Sequence, residues 1–401
     1  MLDQATDERL LHRAHALARQ GIGLASPNPY VGAVITDFNG NIAGEGIYTY
    51  AGVKHAEILA LAAAGARARG GTLYINLEPH AHTGRTPPCT DALIAAAIHR
   101  VVASMPDPNP KVSGRGFEQL RTAGIQVEVG LLQEPARRLN EAFAQYIRRG
   151  VPLVTLKSAM TLDGKIAPPP ATSTPKNAGK NEFTGSRFTE SSITRNWITG
   201  EAARAHVHQL RHQHDAILTG VGTILADNPL LTDRSGLPRR RPLLRVILDS
   251  RLRLPIDSRI VQDTAANRQN DLLIFCLGSQ ANQAKQSQMA QAGVRVEQLP
   301  ANKIDGRPDL SAIFHRLAEL EITSVMIEGG SAINCAALAA DFVDKVFLYY
   351  APKILGDGSI PFTTGDSFRD LKQSLQIKAV ALHRFGEDVC LEGYLHDPYT
   401  S

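Results

Sequence analysis

Apolar residues recur along the chain in two rhythms, one helical and one strand-like. Leu10, Leu11, Ala14, Leu17 and Ala18 fall at helical spacing and predict a helix over residues 7–20. The run Ser26-Pro-Asn-Pro-Tyr30 breaks it. Val31 to Ile35 then reads as a strand, and the Asn39-Gly40 turn leads into a second one. A helix is expected over His55–Ala64, a strand over Thr72–Leu77, a helix over Asp91–Ala97 and a strand over Val101–Ser104. Strands alternating with helices over short connections indicate an α/β layer fold.

The pattern restarts near residue 150. Glu134 to Arg149 reads as one helix, Gly150-Val151-Pro152 stops it, and Leu153 to Leu156 begins a buried-type strand. Two domains are therefore expected, at 1–149 and 150–401. In the second, helices are predicted over 201–214, 310–320 and 332–340, with strands over 216–219, 245–248, 272–277, 324–327 and 344–350. Two late strands, 377–383 and 388–395, have no helix between them. The simplest sheet is mostly parallel and ends in an antiparallel hairpin. Residues 168–195 are rich in Pro, Ser, Thr, Asn, Gly and Lys and read as a long, exposed, mobile loop insertion.

Composition narrows the function. At 401 residues the chain exceeds what one typical core organises. A formal charge of +4 suits an anionic small molecule better than a nucleic-acid backbone. Its densest basic cluster, Arg239-Arg240-Arg241, precedes a proline and reads as a solvated loop. The four cysteines are widely spaced, which fits a reducing, cytoplasmic setting. No basic segment with an apolar run opens the chain, and the longest apolar stretch, Ile58 to Ala66, is too short for a bilayer. Neither a membrane nor a nucleic acid is an expected partner.

Three motifs carry metal chemistry. His55-Ala56-Glu57 opens a predicted helix, Glu78-Pro79-His80 ends a strand, and Pro87-Pro88-Cys89 precedes the next helix. His55, His80 and Cys89 thus sit at element ends where side chains converge, as three zinc ligands that leave a fourth position for water. Zinc brings the pKa of such a water to about 7. Glu57, two residues from a ligand, is the candidate catalytic acid–base group. The pattern approximates the zinc-deaminase H-x-E followed by P-C-x-x-C.

The second half holds two glycine motifs. Gly220-Val-Gly-Thr-Ile-Leu225 starts like a dinucleotide fingerprint but lacks its third glycine. Glu328-Gly-Gly-Ser331 joins a strand to a helix, where phosphates can approach helix N–H groups. His206, His208, His212 and His214 crowd one helix, but Gln209 stands where a metalloprotease needs Glu. They read as a solvated or partly packed face.

Taken together, Ser26-Pro-Asn-Pro-Tyr-Val-Gly32, His55-Ala-Glu57, Leu77 to Cys89 and Asp107-Pro-Asn-Pro110 resemble the bifunctional pyrimidine deaminase/reductase of riboflavin biosynthesis. So do Lys157 to Lys165, Trp197-Ile-Thr-Gly200, Asp227-Asn-Pro229 and Glu328-Gly-Gly330 in the second half, and the resemblance spans nearly the whole chain. It implies a cytidine-deaminase-like three-layer domain followed by a dihydrofolate-reductase-like domain. The implied activities are deamination of a phosphoribosylated diaminopyrimidine, then NADPH-dependent reduction of its ribosyl group to ribityl. Zn2+ and NADPH are the implied cofactors, and a homo-oligomer the implied assembly.

The resemblance also implies site residues. Asn28, His82 and Arg85 would contact the deaminase substrate, with Asp107 and Asn109 nearby. NADPH would contact Ala159, Trp197, Thr223, Asp227, Ser250, Gly330, Ser331, Ala332, Ile333, Asn334, Cys335 and Ala336. The reductase substrate would meet Arg211, Leu231, Arg234 and Glu328, with Lys157 and Asp227 as candidate proton donors. Two departures stand out: His80 replaces the usual Cys, and Arg195 replaces the Ser two residues before Trp197. Alternatives are a reductase with a degenerate deaminase domain, a nucleic-acid deaminase or a non-catalytic nucleotide-binding module. A single-strand groove needs aromatics, and these are only 5% of the chain.

Overall fold

A computed structural model describes residues 3–82, 87–169, 197–278, 282–302, 306–364 and 374–400. The first part of the chain runs α1 (Gln4–Arg19), β1 (Gly32–Thr36), β2 (Ile42–Ile47), α2 (Ala56–Ala64), β3 (Thr72–Ile75), α3 (Cys89–Ala95), β4 (Arg100–Ala103), α4 (Arg115–Thr122) and β5 (Gln126–Val129). Asp3 caps α1 by accepting from the Thr6 N–H at 2.8 Å. The sheet order is β2-β1-β3-β4-β5, with β1 antiparallel to both neighbours and the rest parallel.

The strand period of two sorts side chains between two helical layers. Val34, Tyr74 and Val102 meet Leu10, Leu11, Ala14 and Leu17 of α1. Ala33, Ile35, Leu73 and Ile75 point the other way, onto Ala56, Ala60, Leu93 and Leu120 of α2, α3 and α4. Gly46 sets how closely α2 approaches, since a Cβ there would lie 2.0 Å from the Ala56 carbonyl oxygen. The N-terminus of α2 is thereby pressed into the sheet.

Two helices, α5 (Gln133–Leu139) and α6 (Glu141–Arg149), replace the single one expected over Glu134–Arg149. Asn140 leaves the helical region (φ −109°, ψ 16°), and its side chain accepts from the Tyr30 N–H at 2.8 Å and donates to the Tyr30 carbonyl at 3.2 Å. That tertiary bond outweighs local helix propensity. The break lets α6 reach the second sheet: Glu141 meets Lys345 at 2.9 Å and the Tyr394 hydroxyl at 2.6 Å.

The remainder runs β6 (Leu153–Thr161), β7 (Lys165–Ala167), α7 (Glu201–Gln213), β8 (Ala216–Gly220), α8 (Val221–Asp227), β9 (Leu244–Leu248), α9 (Arg259–Asn267), β10 (Leu272–Leu277), α10 (Gln283–Gln291), β11 (Arg295–Leu299), α11 (Leu310–Glu319), β12 (Ser324–Ile327), α12 (Ser331–Ala339), β13 (Lys345–Ala351), β14 (Ile360–Pro361), β15 (Lys378–Phe385) and β16 (Asp388–Tyr394). Among the described residues the main sheet has the order β11-β10-β9-β8-β12-β6-β13-β16-β15. It is parallel through β13 and closes with the expected antiparallel hairpin. Helices cover both faces, α11 and α12 on one and α7 and α9 on the other, which is why the central strands are apolar throughout.

Arg239-Arg240-Arg241 is not a solvated loop. Arg239 donates to the carbonyls of His212 at 2.9 Å and His214 at 2.7 Å, closing the C-terminal end of α7. Arg240 lies over the Tyr50 ring at 3.9 Å, and Arg241 meets Asp215 at 3.2 Å. Most of the 168–195 segment falls outside the described residues. No helix among the described residues is long and apolar enough to cross a membrane.

Candidate active sites

The three metal motifs converge. His55 occupies the N-cap of α2 and Cys89 the first position of α3, with Cys89 Sγ 3.2 Å from His55 Nδ1. The carbonyl of His80 accepts from the Cys89 and Thr90 N–H groups at 2.8 and 3.2 Å, which pins α3 to the end of the preceding strand. One ligand atom from each of His55, His80 and Cys89 lies within 4.8 Å of the other two.

Electrostatics fit a divalent cation there. Burial lowers the His80 pKa to about 4, helped by His82 and His55, which favours the neutral imidazole that a metal needs. Its Nδ1 is buried with no hydrogen-bond partner among the described residues. Burial and the neighbouring Glu57 both push the Cys89 thiol up, a penalty that a bound cation reverses. Glu57, in the first turn of α2, is 2% exposed; burial raises its pKa while His55 pulls it back. A buried carboxyl with a raised pKa beside a metal pocket can take up a proton and return it.

Around this centre, Tyr48 stacks edge-on against His55 with centroids 5.5 Å apart, and Asn28 Nδ2 donates to its hydroxyl. His82 is exposed and packs edge-on against His80 at 4.1 Å. Arg85 lies outside the described residues. Two residues before His80, Glu78 is buried and accepts from the N–H groups of Asp107, Gly114 and Gly116 at 2.9, 2.8 and 2.8 Å. Burial raises Asp107 to about 6, and its carboxylate accepts from the Asn109 N–H at 2.8 Å. Tyr48 and Glu78 were not singled out from the sequence. Glu78 stands inside a quoted motif, but its partners are 29 to 38 residues away.

The second candidate site gathers where parallel strands end, as ligand sites in open α/β sheets do. Glu328 follows β12 and is gripped by Arg211 through two bonds, Nε to Oε1 at 2.9 Å and Nη2 to Oε2 at 2.8 Å. Burial would raise Glu328, but Arg211 and Lys157 outweigh it and hold the carboxyl at about 2. Lys157 is lowered by burial, against the pull of Glu328. Arg211 also donates to the Thr232 carbonyl at 2.9 Å, beside the buried Leu231 and the exposed Arg234. His208 adds a buried Nδ1 with no partner among the described residues.

Next to Glu328, Gly330 is the N-cap of α12, and a Cβ there would meet nothing within 4 Å. Ser331 Oγ donates to the Pro361 carbonyl and Asn334 Nδ2 to that of Phe362 at 3.0 Å. The Ile333 side chain lies against Gly220 at the end of β8, where a Cβ would be 2.7 Å from its Cδ1. Ile333 and Ala336 pack on the core and Cys335 is buried, while Ala332 is exposed. Thr223 and Ser250 are half-buried near the ends of β8 and β9, and Asp227 is exposed at the end of α8. Ala159 pairs with Tyr349 in the sheet. Trp197 is 52% exposed under the Arg204 guanidinium, and its carbonyl accepts from Lys353 at 2.8 Å. Arg195 lies outside the described residues.

The histidines of α7 and its C-cap form no metal cluster among the described residues, and three of them are held by other groups. His206 meets the Tyr349 hydroxyl at 2.6 Å, His212 meets Asp233 at 3.0 Å and His214 meets Thr155 at 2.9 Å.

Residues 4–105 match the cytidine and deoxycytidylate deaminase zinc-binding region, and residues 152–391 match the RibD C-terminal domain. The chain is 39% identical to riboflavin biosynthesis protein RibD of Actinobacillus pleuropneumoniae, over 98% of this chain and 96% of that protein. It is 38% identical to RibD of Escherichia coli, over 96% and 98%. Acinetobacter baumannii RibD superposes with a TM-score of 0.79 at 32% identity, covering 98% of this chain and 99% of the other. A diaminohydroxyphosphoribosylaminopyrimidine deaminase/5-amino-6-(5-phosphoribosylamino)uracil reductase from Thermotoga maritima gives 0.76 at 33%, covering 97% and 99%.

Proposed function

Because the chain belongs to the RibD family of bifunctional deaminase/reductases of riboflavin biosynthesis, we propose how its own residues divide those two activities. The deaminase domain spans 1–149 and the reductase domain 150–401. The first sheet ends at Val129 and the second begins at Leu153, which supports that division. His55, His80 and Cys89 would hold zinc, which supplies a water activated near neutral pH. Glu57 accepts and returns the proton as the amino group leaves a phosphoribosylated diaminopyrimidine. Asn28, His82 and Arg85 bind that substrate, with the rigid turn around Asn28 presenting its amide to the pyrimidine edge.

In the second domain a reduced nicotinamide cofactor, NADPH, supplies the hydride. Gly330, Ser331 and Asn334 line its phosphate end, and Ala159, Trp197, Thr223, Asp227, Ser250, Ala332, Ile333, Cys335 and Ala336 shape the rest. The open space above Gly330 supports this. Arg211, Leu231, Arg234 and Glu328 bind the ribosyl phosphate substrate, with Arg195 a further substrate contact carried over from the sequence, and Lys157 is the proton donor, its ammonium made more acidic by burial. Exposed Val380 and Leu382 on the edge strand β15 favour assembly of identical copies.

The observation that carries the deaminase reading is the convergence of His55, His80 and Cys89 within 4.8 Å beside buried Glu57. X-ray absorption at the zinc edge, with metal content and ammonia release on the same sample, tests it. The expected result is one zinc per chain, with one sulfur and two imidazole ligands. Absence of zinc with no ammonia would leave a reductase bearing an inactive first domain.

A further inference from the structure

The segment from Ser26 to Val31 carries Asn28 yet belongs to no helix or strand, and side-chain anchors hold much of it. Two come from its own half of the chain. Asn140 bonds both backbone groups of Tyr30, and Asn76 accepts from the Gly32 N–H at 2.9 Å and donates to the Tyr30 carbonyl at 2.8 Å. The anchor at the other end comes from the second half. Ser26 Oγ donates to Asp215 Oδ2 at 2.7 Å, and Arg241 Nη2 lies 3.3 Å from Ser26 Oγ and 3.2 Å from Asp215. Asp215 is itself fixed by the Thr323 N–H and hydroxyl, both at 2.8 Å.

The neighbouring residues continue the contact. The Arg240 N–H donates to the Gly23 carbonyl at 2.8 Å, and its guanidinium covers Tyr50, whose N–H donates to the Leu24 carbonyl at 3.0 Å. Gly23 has φ +77°, and a Cβ there would lie 2.9 Å from His212 Cε1, so the two halves meet with no space to spare. From this anchor the chain leads through Asn28 to Tyr48 and to the ring of His55.

We propose that Asp215 and Arg241, residues of the reductase half, are positioning residues for the deaminase: they hold Ser26 and so set Asn28 against its substrate. The inference rests on the reading of Asn28 as a substrate contact. A charge-assisted anchor fixed on a rigid sheet limits how far a contact two residues away can wander. Losing that anchor costs substrate alignment rather than the metal or the general base.

The test uses the full-length zinc-loaded chain and measures deaminase KM and kcat, zinc content and reductase rate on the deaminated product. Asp215→Asn, Arg241→Ala and the milder Ser26→Ala are each expected to raise deaminase KM about five- to tenfold, the scale of one ordinary hydrogen bond, because the loss reaches the substrate only through Asn28. Zinc content and reductase rate stay within about twofold of the parent. Ser26→Thr, which keeps the hydroxyl, restores KM, and Ser26→Ala combined with Arg241→Ala is no worse than either alone. Asn28→Ala is measured beside them. If it raises KM while the three anchor variants do not, the positioning role is overturned. If it also leaves KM unchanged, the reading of Asn28 fails first. Loss of zinc and of both activities together would overturn positioning in favour of plain structural support.

Discussion

Arg211 holds Glu328 in a two-armed grip across 117 residues of sequence, with both guanidinium–carboxylate bonds under 3.0 Å. Lysine cannot reproduce that planar fork. Arg211→Lys is expected to lower reductase kcat/KM by about tenfold or more while leaving ammonia release unchanged. Assaying both activities on one preparation checks it, and an equal fall in the two would point to general unfolding.

The same pair predicts an acid dependence of stability. Glu328 is held at about 2, against 4.5 for a free glutamate. A lowered folded pKa contributes stability that is present above about 4.5 and is lost as pH falls toward 2. Glu328→Gln is therefore expected to destabilise the protein at pH 6 and to cost progressively less toward pH 3. Urea midpoints at the two pH values measure this, and an equal cost at both would refute the charge argument.

Asp344 works with the opposite sign. Burial raises it to about 7, with Glu141 and Asp341 adding to the shift, against the Val154 N–H and Arg149, which lower it. A raised acid gives stability at low pH that is lost as pH climbs from about 4 through 7. Asp344→Asn keeps an acceptor for Val154 and can offer an N–H to the buried Gln145 Oε1, which lacks a partner among the described residues. It should stabilise the chain at pH 8 by on the order of 1–3 kcal/mol and do little at pH 4. Melting curves across that range decide.

Gly330 has ordinary backbone geometry (φ −81°) and empty space where a Cβ would stand. Gly330→Ala should leave the melting temperature nearly unchanged, within about 0.5 kcal/mol of stability. It should also raise KM for NADPH several-fold if, as proposed, the methyl takes up room that the cofactor's phosphate occupies. An unchanged KM would move the cofactor elsewhere.

Glu57→Gln should cut ammonia release by about 10²–10⁴-fold with zinc and reductase rate retained. His80→Cys should keep the metal and add a second sulfur to its absorption edge. If His80→Cys left the sulfur count unchanged, His80 would not be a ligand.

The α/β class, the terminal hairpin and the zinc cluster were legible because each leaves a local mark: alternation, a missing helix, a motif at an element end. Short polar helices left none. In α10 only Met289 is buried, so no apolar stripe announces it. The helix break at Asn140 was invisible because its cause is Tyr30, 110 residues earlier. The three arginines misled for the same reason, since they satisfy carbonyls at the end of α7 and groups in the first half of the chain. Ser26 and Asp215 stand 189 residues apart, and no window of sequence joins them.

Asp215, Thr323 and Asp344 sit where β8, β12 and β13 begin, and it is there that Ser26 and α6 dock. Gly220 and Glu328 sit where β8 and β12 finish. The first part of the chain thus leans on the floor of the second sheet, while the residues proposed for the reductase gather at its roof. Within one chain, the two ends of the same strands are given to the two activities. What a single polypeptide guarantees here is equal copy number of the two catalysts.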